Sequence, residues 1–347
     1  MSVDLEQLPA VRPARVREAL QDPAQRRELV DLMVLLEMVC RPIPEPLQAS
    51  VDRWAAALEV DDRALLLARD LTRGAQARAT ADFYRLNWIG DGDDQHGARF
   101  QALLAQYGTP AYALTLEPDP QERQRWAALA QCPAGSLGRG LWEFYQQRGF
   151  RLPGEPGAGN AALAHHDWVH LVAGYDTTPI GELEVTAFMA AASRAPGAML
   201  GFLGAVSIYE TGLLQSVVLQ QAYPQTLEDP ANRERLVQAI RRGNRCRVDP
   251  LLGVDYFRLA QEPLAAVRAG WGLQEQGPRA CSLYRRAPRP GGGVAVQEKG
   301  PRTSERSSTS QPPRANHQTP KTRSAQAKRG IEPKWLRNIR PRTGEAI

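Results

Sequence analysis

Apolar residues recur at helical intervals through most of the chain before residue 284. In 22–40 the periodicity is clear, and Asp22 followed by Pro23 is typical of a helix start. The segments 44–60 and 61–88 continue the pattern with residues that favour helix. No segment alternates apolar and polar residues over the length of a strand, so no sheet is expected. The pattern predicts an all-α fold.

A turn-rich stretch, IGDGDDQHG at 89–97, interrupts the helical pattern. We place a domain boundary there, which gives a helical accessory domain over 1–95 and a larger helical domain over 98–284. His96 lies alone in this acidic break, and we interpret it as an exposed loop residue.

The last segment, 285–347, differs from the rest in composition. It is rich in Pro, Gly, Ser, Thr and Arg, and it contains all four lysines of the chain. Its 15 basic and 4 acidic residues give a net charge of +11, whereas 1–284 carries −6. Such a composition predicts a disordered basic tail. A basic arm for anionic membranes or nucleic acid is the alternative for the tail. No nucleic acid is expected as a partner of the main body, which offers neither a basic face nor a recognised motif.

The cysteines and the apolar runs indicate a location. Four cysteines lie far apart without a C-x-x-C pair, which is typical of a reducing compartment. No secretion signal opens the chain, and no run reaches the roughly 18 to 20 apolar residues that span a bilayer. The longest apolar run, 195–209, predicts a buried helix. We expect a cytoplasmic protein, with peripheral contact on the inner face of the membrane as an alternative and homo-oligomers left open.

Three of the five histidines fall within six positions, at 165, 166 and 170. We predict a helix over 161–173 that ends at Gly174, because glycine accepts the left-handed conformation. Thr178 followed by Pro179 predicts the start of the next helix. The short connection favours an antiparallel pair.

On this helix pair several polar side chains are predicted to converge. At about 100° per residue, His166 and His170 differ by about 40° and Asp167 lies about 60° further, whereas His165 points elsewhere. His170 and Glu182 each lie about 6 Å from the turn, at the same height. Two imidazoles and two carboxylates are typical ligands of Zn²⁺, Fe²⁺ or Mn²⁺. The alternative is that the histidines are surface or packing residues.

The pattern His166-Asp167-x-x-His170 followed by eleven residues and Glu182 resembles the signature of the coenzyme Q biosynthesis Coq-four family. The segments PAGSLGRGLWEFYQQRGF (133–150) and GYDTTPIGE (174–182) resemble the flanking parts of that family, and the resemblance spans roughly 100–278. The N-terminal quarter has a weaker resemblance, in size and helix spacing, to TerB-like helical modules of tellurite resistance.

The resemblance implies an all-helical protein that binds a divalent metal and a polyprenylated aromatic precursor of ubiquinone. It implies removal of the ring carboxylate with hydroxylation at that carbon, and assembly with other quinone-biosynthesis proteins. It makes His166, Asp167, His170 and Glu182 the metal ligands, with Zn²⁺ favoured over Fe²⁺ and Mn²⁺ and with Asp167 and Glu182 also catalytic. The segment 196–221 would line a groove for the isoprenoid tail, or else be plain core. Because the accessory domain and the tail depart from the simplest members, ubiquinone itself is a family-level inference.

Three alternatives stand beside this interpretation. A lipid-binding scaffold would use the metal only to hold the helix pair, and a closed four-ligand shell would favour it over an enzyme with an open coordination position. An HD-type phosphohydrolase needs an upstream histidine, for which only His96 is present outside the cluster. A protease of the H-E-x-x-H type is disfavoured because Asp167 is one methylene shorter than the catalytic glutamate.

Overall fold

The computed structural model describes residues 10–40, 42–89, 98–193, 195–218, 225–251 and 254–273. Within these ranges the chain forms helices and no β-strand, which confirms the predicted all-α class. The basic tail at 285–347 and the break that contains His96 lie outside the described residues, so the predictions made for them stay predictions.

The N-terminal helices begin at the capping residues that the sequence indicates. The Asp22 carboxylate accepts a hydrogen bond from the Ala24 amide, and Asp62 accepts one from Ala64. The segment 61–88 is two helices, because Gly74 takes a left-handed conformation with φ of 71° between them. These five helices are α1 (Pro13–Ala19), α2 (Pro23–Met38), α3 (Glu45–Leu58), α4 (Arg63–Thr72) and α5 (Gln76–Leu86).

Eight further α-helices are described after the break. A π-helical turn, Ser207–Thr211, extends the eleventh helix, and short 3-10 turns occur among the others. The eight are α6 (Ala98–Tyr107), α7 (Pro120–Ala127), α8 (Leu137–Arg148), α9 (Ala161–Ala173), α10 (Pro179–Ala192), α11 (Pro196–Val206), α12 (Pro230–Gly243) and α13 (Leu264–Gly270).

Among the residues that the structure describes, two hydrophobic cores hold the helices together. The first core combines side chains of α2 to α5 with those of α10 and α11, and the second combines α8 and α9 with α10, α12 and α13. Helix α10 contributes to both, and it packs against α9, α11 and α12. Side chains from both sides of the break at 90–97 therefore share the first core. The division into two domains stays a prediction.

Helix α11 (Pro196–Val206) is the N-terminal part of the apolar segment 196–221. Leu200, Phe202 and Leu203 are almost fully buried in the first core, and the helix contacts α4, α5 and α10. Burial of such side chains contributes about 1.5–3 kcal/mol each. This packing agrees with the core interpretation of α11, and a lining role for the residues after it stays a prediction. Of the helices described, none has both the length and the hydrophobicity to cross a membrane.

Candidate metal centre

The helical hairpin of α9 and α10 begins and ends at the residues that the spacing indicates. The Asn160 side chain accepts from the Leu163 amide at 2.9 Å and caps α9. Gly174 ends α9 with φ of 79°. Thr178 caps α10 by accepting from the Gly181 amide at 3.3 Å, and Asp176 accepts from the Thr178 amide at 2.9 Å. Local hydrogen bonds therefore fix both ends of the connection.

Two arginines satisfy the last carbonyl groups of α9. Arg268 donates to Leu171 O at 2.9 Å and to Val172 O at 3.0 Å. Arg242 donates to Ala173 O at 2.8 Å. Carbonyl groups at a helix C-terminus lack partners within the helix, and positive charge there is favourable. The arginines of α12 and α13 thus hold in place the end of the helix that carries the histidines.

Backbone carbonyls select the nitrogen that each histidine presents. His166 Nδ1 lies 2.5 Å from Leu163 O, and His170 Nδ1 lies 3.3 Å from Tyr175 O. A carbonyl oxygen only accepts hydrogen bonds, so each Nδ1 carries the proton. This leaves the Nε2 atom of each ring as the nitrogen that could bind a metal, as in the hydrogen-bonded histidines of metal sites.

Both Nε2 atoms lie close to carboxylate oxygens of the same centre. His166 Nε2 is 3.5 Å from Asp167 Oδ1 and 3.6 Å from Glu182 Oε2. His170 Nε2 is 3.4 Å from Glu182 Oε2. One ligand atom from each of His166, Asp167 and His170 falls within 4.8 Å of the others. Ligands held at 2.0–2.1 Å around a tetrahedral ion are about 3.3 Å apart, so these residues fit a divalent metal. That they bind one stays a prediction.

The histidines and carboxylates of the centre stabilise one another's charged forms. Burial lowers the pKa of His166, but the Asp167 and Glu182 carboxylates outweigh it and raise that pKa to about 9. Burial opposes ionisation of Glu182, but His170 and His166 hold the pKa of this carboxyl well below its ordinary value. Without a metal, the centre therefore holds a proton between a histidine and two carboxylates. A bound divalent ion would replace that positive charge.

Tyr145 fixes the second oxygen of Asp167. Its hydroxyl, on α8, donates to Asp167 Oδ2 at 2.5 Å. Burial, and then the Asp167 carboxylate, raise the pKa of Tyr145 well above its ordinary value, so the hydroxyl stays a donor. Tyr145 lies in the segment 133–150, whose sequence indicated only a family resemblance and no contact with the candidate ligands. A single tyrosine 22 residues before its partner gives no spacing signal that would reveal this contact.

His165 lies away from the other two histidines. Its Nε2 is 3.1 Å from Pro250 O, and its ring packs edge-on against Tyr256 with centroids 4.9 Å apart. Burial lowers the pKa of His165, which favours the neutral ring. Its surroundings are therefore those of a packing residue, as the helical register leads one to expect.

The centre is partly accessible to solvent. The His170 side chain is 0% exposed, whereas those of His166, Asp167 and Glu182 are 14%, 12% and 18% exposed. A ligand approaching from solvent would therefore meet His166 and the two carboxylates, with His170 at the bottom of the centre.

Comparison with known proteins leaves the family open. No protein-family model matches the chain, and no curated protein matches it significantly. A crystal structure of a protein from Nostoc punctiforme, named as a candidate ubiquinone biosynthesis protein, is similar over 62% of this chain and 98% of its own. The two chains are 18% identical, with a TM-score of 0.32. At this distance the likeness does not assign a function, and the family resemblance over roughly 100–278 stays a prediction.

Proposed function

We propose that the protein binds a divalent metal, with Zn²⁺ favoured, and acts on a prenylated aromatic acid of quinone biosynthesis. The ligands in this proposal are His166, Asp167, His170 and Glu182. The observation that supports it best is the convergence of two Nε2 atoms and two carboxylates, with both Nδ1 atoms engaged by backbone carbonyls. Incidental histidines have no reason to share this orientation.

The residues of the centre have distinct roles in this proposal. A bound divalent ion supplies Lewis acidity, which offsets negative charge on the carboxylate and phenolic oxygens of the substrate. Tyr145 holds Asp167 in one orientation through Oδ2 and leaves Oδ1 facing the centre. Glu182 is ionised at neutral pH because its pKa is lowered. Asp167 and Glu182, which are both partly exposed, are the residues that we propose to be catalytic.

The proposed reaction removes the ring carboxylate as CO₂ and places a hydroxyl group on the same carbon. This conversion is a two-electron oxidation, so it requires an external oxidant, and we propose dioxygen. In the balanced reaction ArCOOH + H₂O + O₂ → ArOH + CO₂ + H₂O₂, water supplies the hydroxyl oxygen, and dioxygen takes up two electrons and two protons and leaves as hydrogen peroxide. The same proposal includes peripheral contact with the membrane. It also includes assembly with other quinone-biosynthesis proteins or as a homo-oligomer.

A non-catalytic lipid-binding scaffold is the second candidate function. It is favoured by the number of donors, because two imidazoles and two carboxylates are enough to complete a tetrahedral zinc shell. In that case the metal would only join α9 to α10. The partial exposure of three of the four side chains favours the enzyme.

Metal analysis and ligand analysis of the purified full-length protein test both candidates. We expect about one divalent ion per chain after reconstitution, and prenylated aromatic acids among the lipids that co-purify. The metal-loaded protein is then incubated in air with 4-hydroxy-3-prenylbenzoate, and released CO₂ and the aromatic product are quantified. Turnover supports the enzyme, whereas binding without turnover supports the scaffold. A reconstituted protein with no bound metal would refute both.

A further inference from the structure

Trp88 connects the N-terminal helices to the candidate metal centre. It lies two residues after the end of α5 and packs against both hydrophobic cores. Its ring centroid is 6.4 Å from that of His166, with the ring planes inclined at 54°. A side chain from before the break therefore forms part of the surroundings of a candidate metal ligand.

Gly201 of α11 creates the space that the Trp88 ring occupies. A Cβ atom on Gly201 would lie 2.0 Å from Cζ3 and 2.8 Å from Cε3 of Trp88. Carbon atoms in contact are normally about 3.5–4.0 Å apart, so the ring lies directly on the backbone of α11. In an indole, Nε1 is on the edge opposite Cζ3 and Cε3. The N–H group of Trp88 is therefore directed away from α11.

This N–H group is a buried donor without an acceptor among the described residues. Nε1 of Trp88 is inaccessible to solvent and makes no hydrogen bond there. Buried tryptophan N–H groups are usually paired, because an unmade hydrogen bond costs the full desolvation of the donor. Since the ring is next to His166, a ligand held at the centre is well placed to provide the acceptor.

We propose that Trp88 contacts the substrate, its indole N–H donating a hydrogen bond to a carboxylate or phenolic oxygen of an aromatic acid at the metal centre. This inference rests on the proposed function. It assigns to the N-terminal helices a direct part in substrate selection at a centre that α9 and α10 carry.

The chemistry of the indole favours an aromatic acid. The acid provides an anionic oxygen as acceptor, and its ring can pack against the aromatic side chain. A hydrocarbon without an oxygen would leave the donor unpaired. Sites built around a buried donor discriminate strongly against ligands that lack the acceptor.

Calorimetric titration of the zinc-loaded full-length protein with 4-hydroxybenzoate tests the contact. Trp88→Phe keeps an aromatic ring and removes the donor, so we expect about tenfold weaker binding of 4-hydroxybenzoate. Zinc affinity, measured by chelator competition, is expected to stay within about twofold, because Trp88 is not a ligand. Trp54→Phe is the matched control, because Trp54 is also half-buried in the N-terminal helices but packs against the first core only. It is expected to bind 4-hydroxybenzoate like the unaltered protein.

A second readout detects the hydrogen bond directly. In a ¹H–¹⁵N spectrum of the zinc-loaded, unaltered protein, addition of 4-hydroxybenzoate should shift the indole N–H signal that is absent in Trp88→Phe. Trp88→Tyr provides the assignment if the Phe variant does not fold. A merely structural role for the ring would not move this signal.

The outcomes distinguish a failure of the Trp88 contact from a failure of the proposed function. If the zinc-loaded protein binds 4-hydroxybenzoate but Trp88→Phe binds it equally well, or the Trp88 signal does not shift, the Trp88 contact is wrong and the proposed function stands. If the unaltered protein binds zinc but not 4-hydroxybenzoate or its prenylated form, the proposed substrate class fails, and the inference fails with it.

Discussion

Each histidine of the candidate centre is oriented by one backbone carbonyl. Leu163 O is in the same helix as His166, whereas Tyr175 O follows the end of α9 and reaches back to His170. The orientation of His170 thus depends on how the chain turns after Gly174. For this reason, the prediction of a metal site depended on where α9 ends as well as on the spacing of the histidines.

His170 and His165 form a matched pair of substitutions. His170→Ala removes a fully buried candidate ligand, so we expect most of the bound zinc to be lost. His165→Ala removes a ring that packs on Tyr256 and should keep the zinc content unchanged. Elemental analysis after reconstitution measures both. Equal zinc loss in the two variants would contradict this assignment of the helix faces.

Tyr145→Phe tests whether the orientation of Asp167 matters for metal binding. The variant removes the hydroxyl that holds Asp167 Oδ2 and retains the ring in the second core. Loss of such a partner typically weakens metal affinity about 10–100-fold. Chelator competition measures the zinc affinity, and Tyr112→Phe, at a buried tyrosine of the first core, is the control. An unchanged affinity in Tyr145→Phe would show that Asp167 does not need this hydrogen bond.

Asp31 gives the N-terminal helices a pH dependence of their own. Burial, and then the Asp62 carboxylate, raise the pKa of Asp31 to about 8. An unfolded aspartate has a pKa of about 3.9, so the folded chain holds the proton more tightly. The stabilisation is complete below about pH 4 and is lost as the pH rises towards 8.

Asp31→Asn should therefore reduce the loss of stability between about pH 5 and pH 8. At the upper end of this pH range, we expect the free energy of unfolding of the variant to exceed that of the unaltered chain by on the order of 1–3 kcal/mol. The reason is that the amide needs no proton to remain neutral. Denaturant unfolding at several pH values measures it. Asp61→Asn, at an exposed position, is the control and should follow the unaltered chain. If Asp31→Asn has the same pH slope as the control, the Asp31 carboxyl is not protonated in the folded protein.

At the scale of helices, the sequence predicted those elements whose signals are local. The start of α2, the end of α9 and the start of α10 follow from Asp22, Gly174 and Thr178, which act on their immediate neighbours. The break between α4 and α5 was not predicted, because Gly74 lies between helix formers and only its left-handed φ reveals the turn. Tyr145 and Trp88 reach the centre through tertiary packing, which periodicity does not encode.

Gly201→Ala tests the packing of α11 against the N-terminal helices. The added methyl group would meet the Trp88 ring, which cannot move without disturbing both cores. Overpacking of this kind typically costs about 1–3 kcal/mol. Gly270→Ala in α13 is the control, since its Cβ would meet nothing within 4 Å, and alanine favours helix. Urea unfolding compares the two variants. A Gly201→Ala protein as stable as the control would contradict the close approach of Trp88 and α11.

At the scale of the whole molecule, the side chains that pack in the cores and the side chains that carry the excess positive charge lie in different parts of the chain. Among the described residues, the last one to pack in a core is Leu273. The excess of positive charge begins only at 285, and the chain before it has a net charge of −6. The chemistry of the candidate centre is thus contained in the acidic part of the molecule.

Truncation after residue 284 should leave the folded protein intact. The removed segment contributes none of the candidate ligands, and its composition offers few apolar side chains to bury. We expect an unchanged melting temperature and an unchanged zinc content in the truncated protein. A separate measurement, sedimentation with vesicles of anionic lipid, compares the two chains, because removal of a net charge of +11 should weaken any electrostatic attachment. A lower melting temperature or a loss of zinc after truncation would show that the basic tail is part of the fold that supports the metal centre.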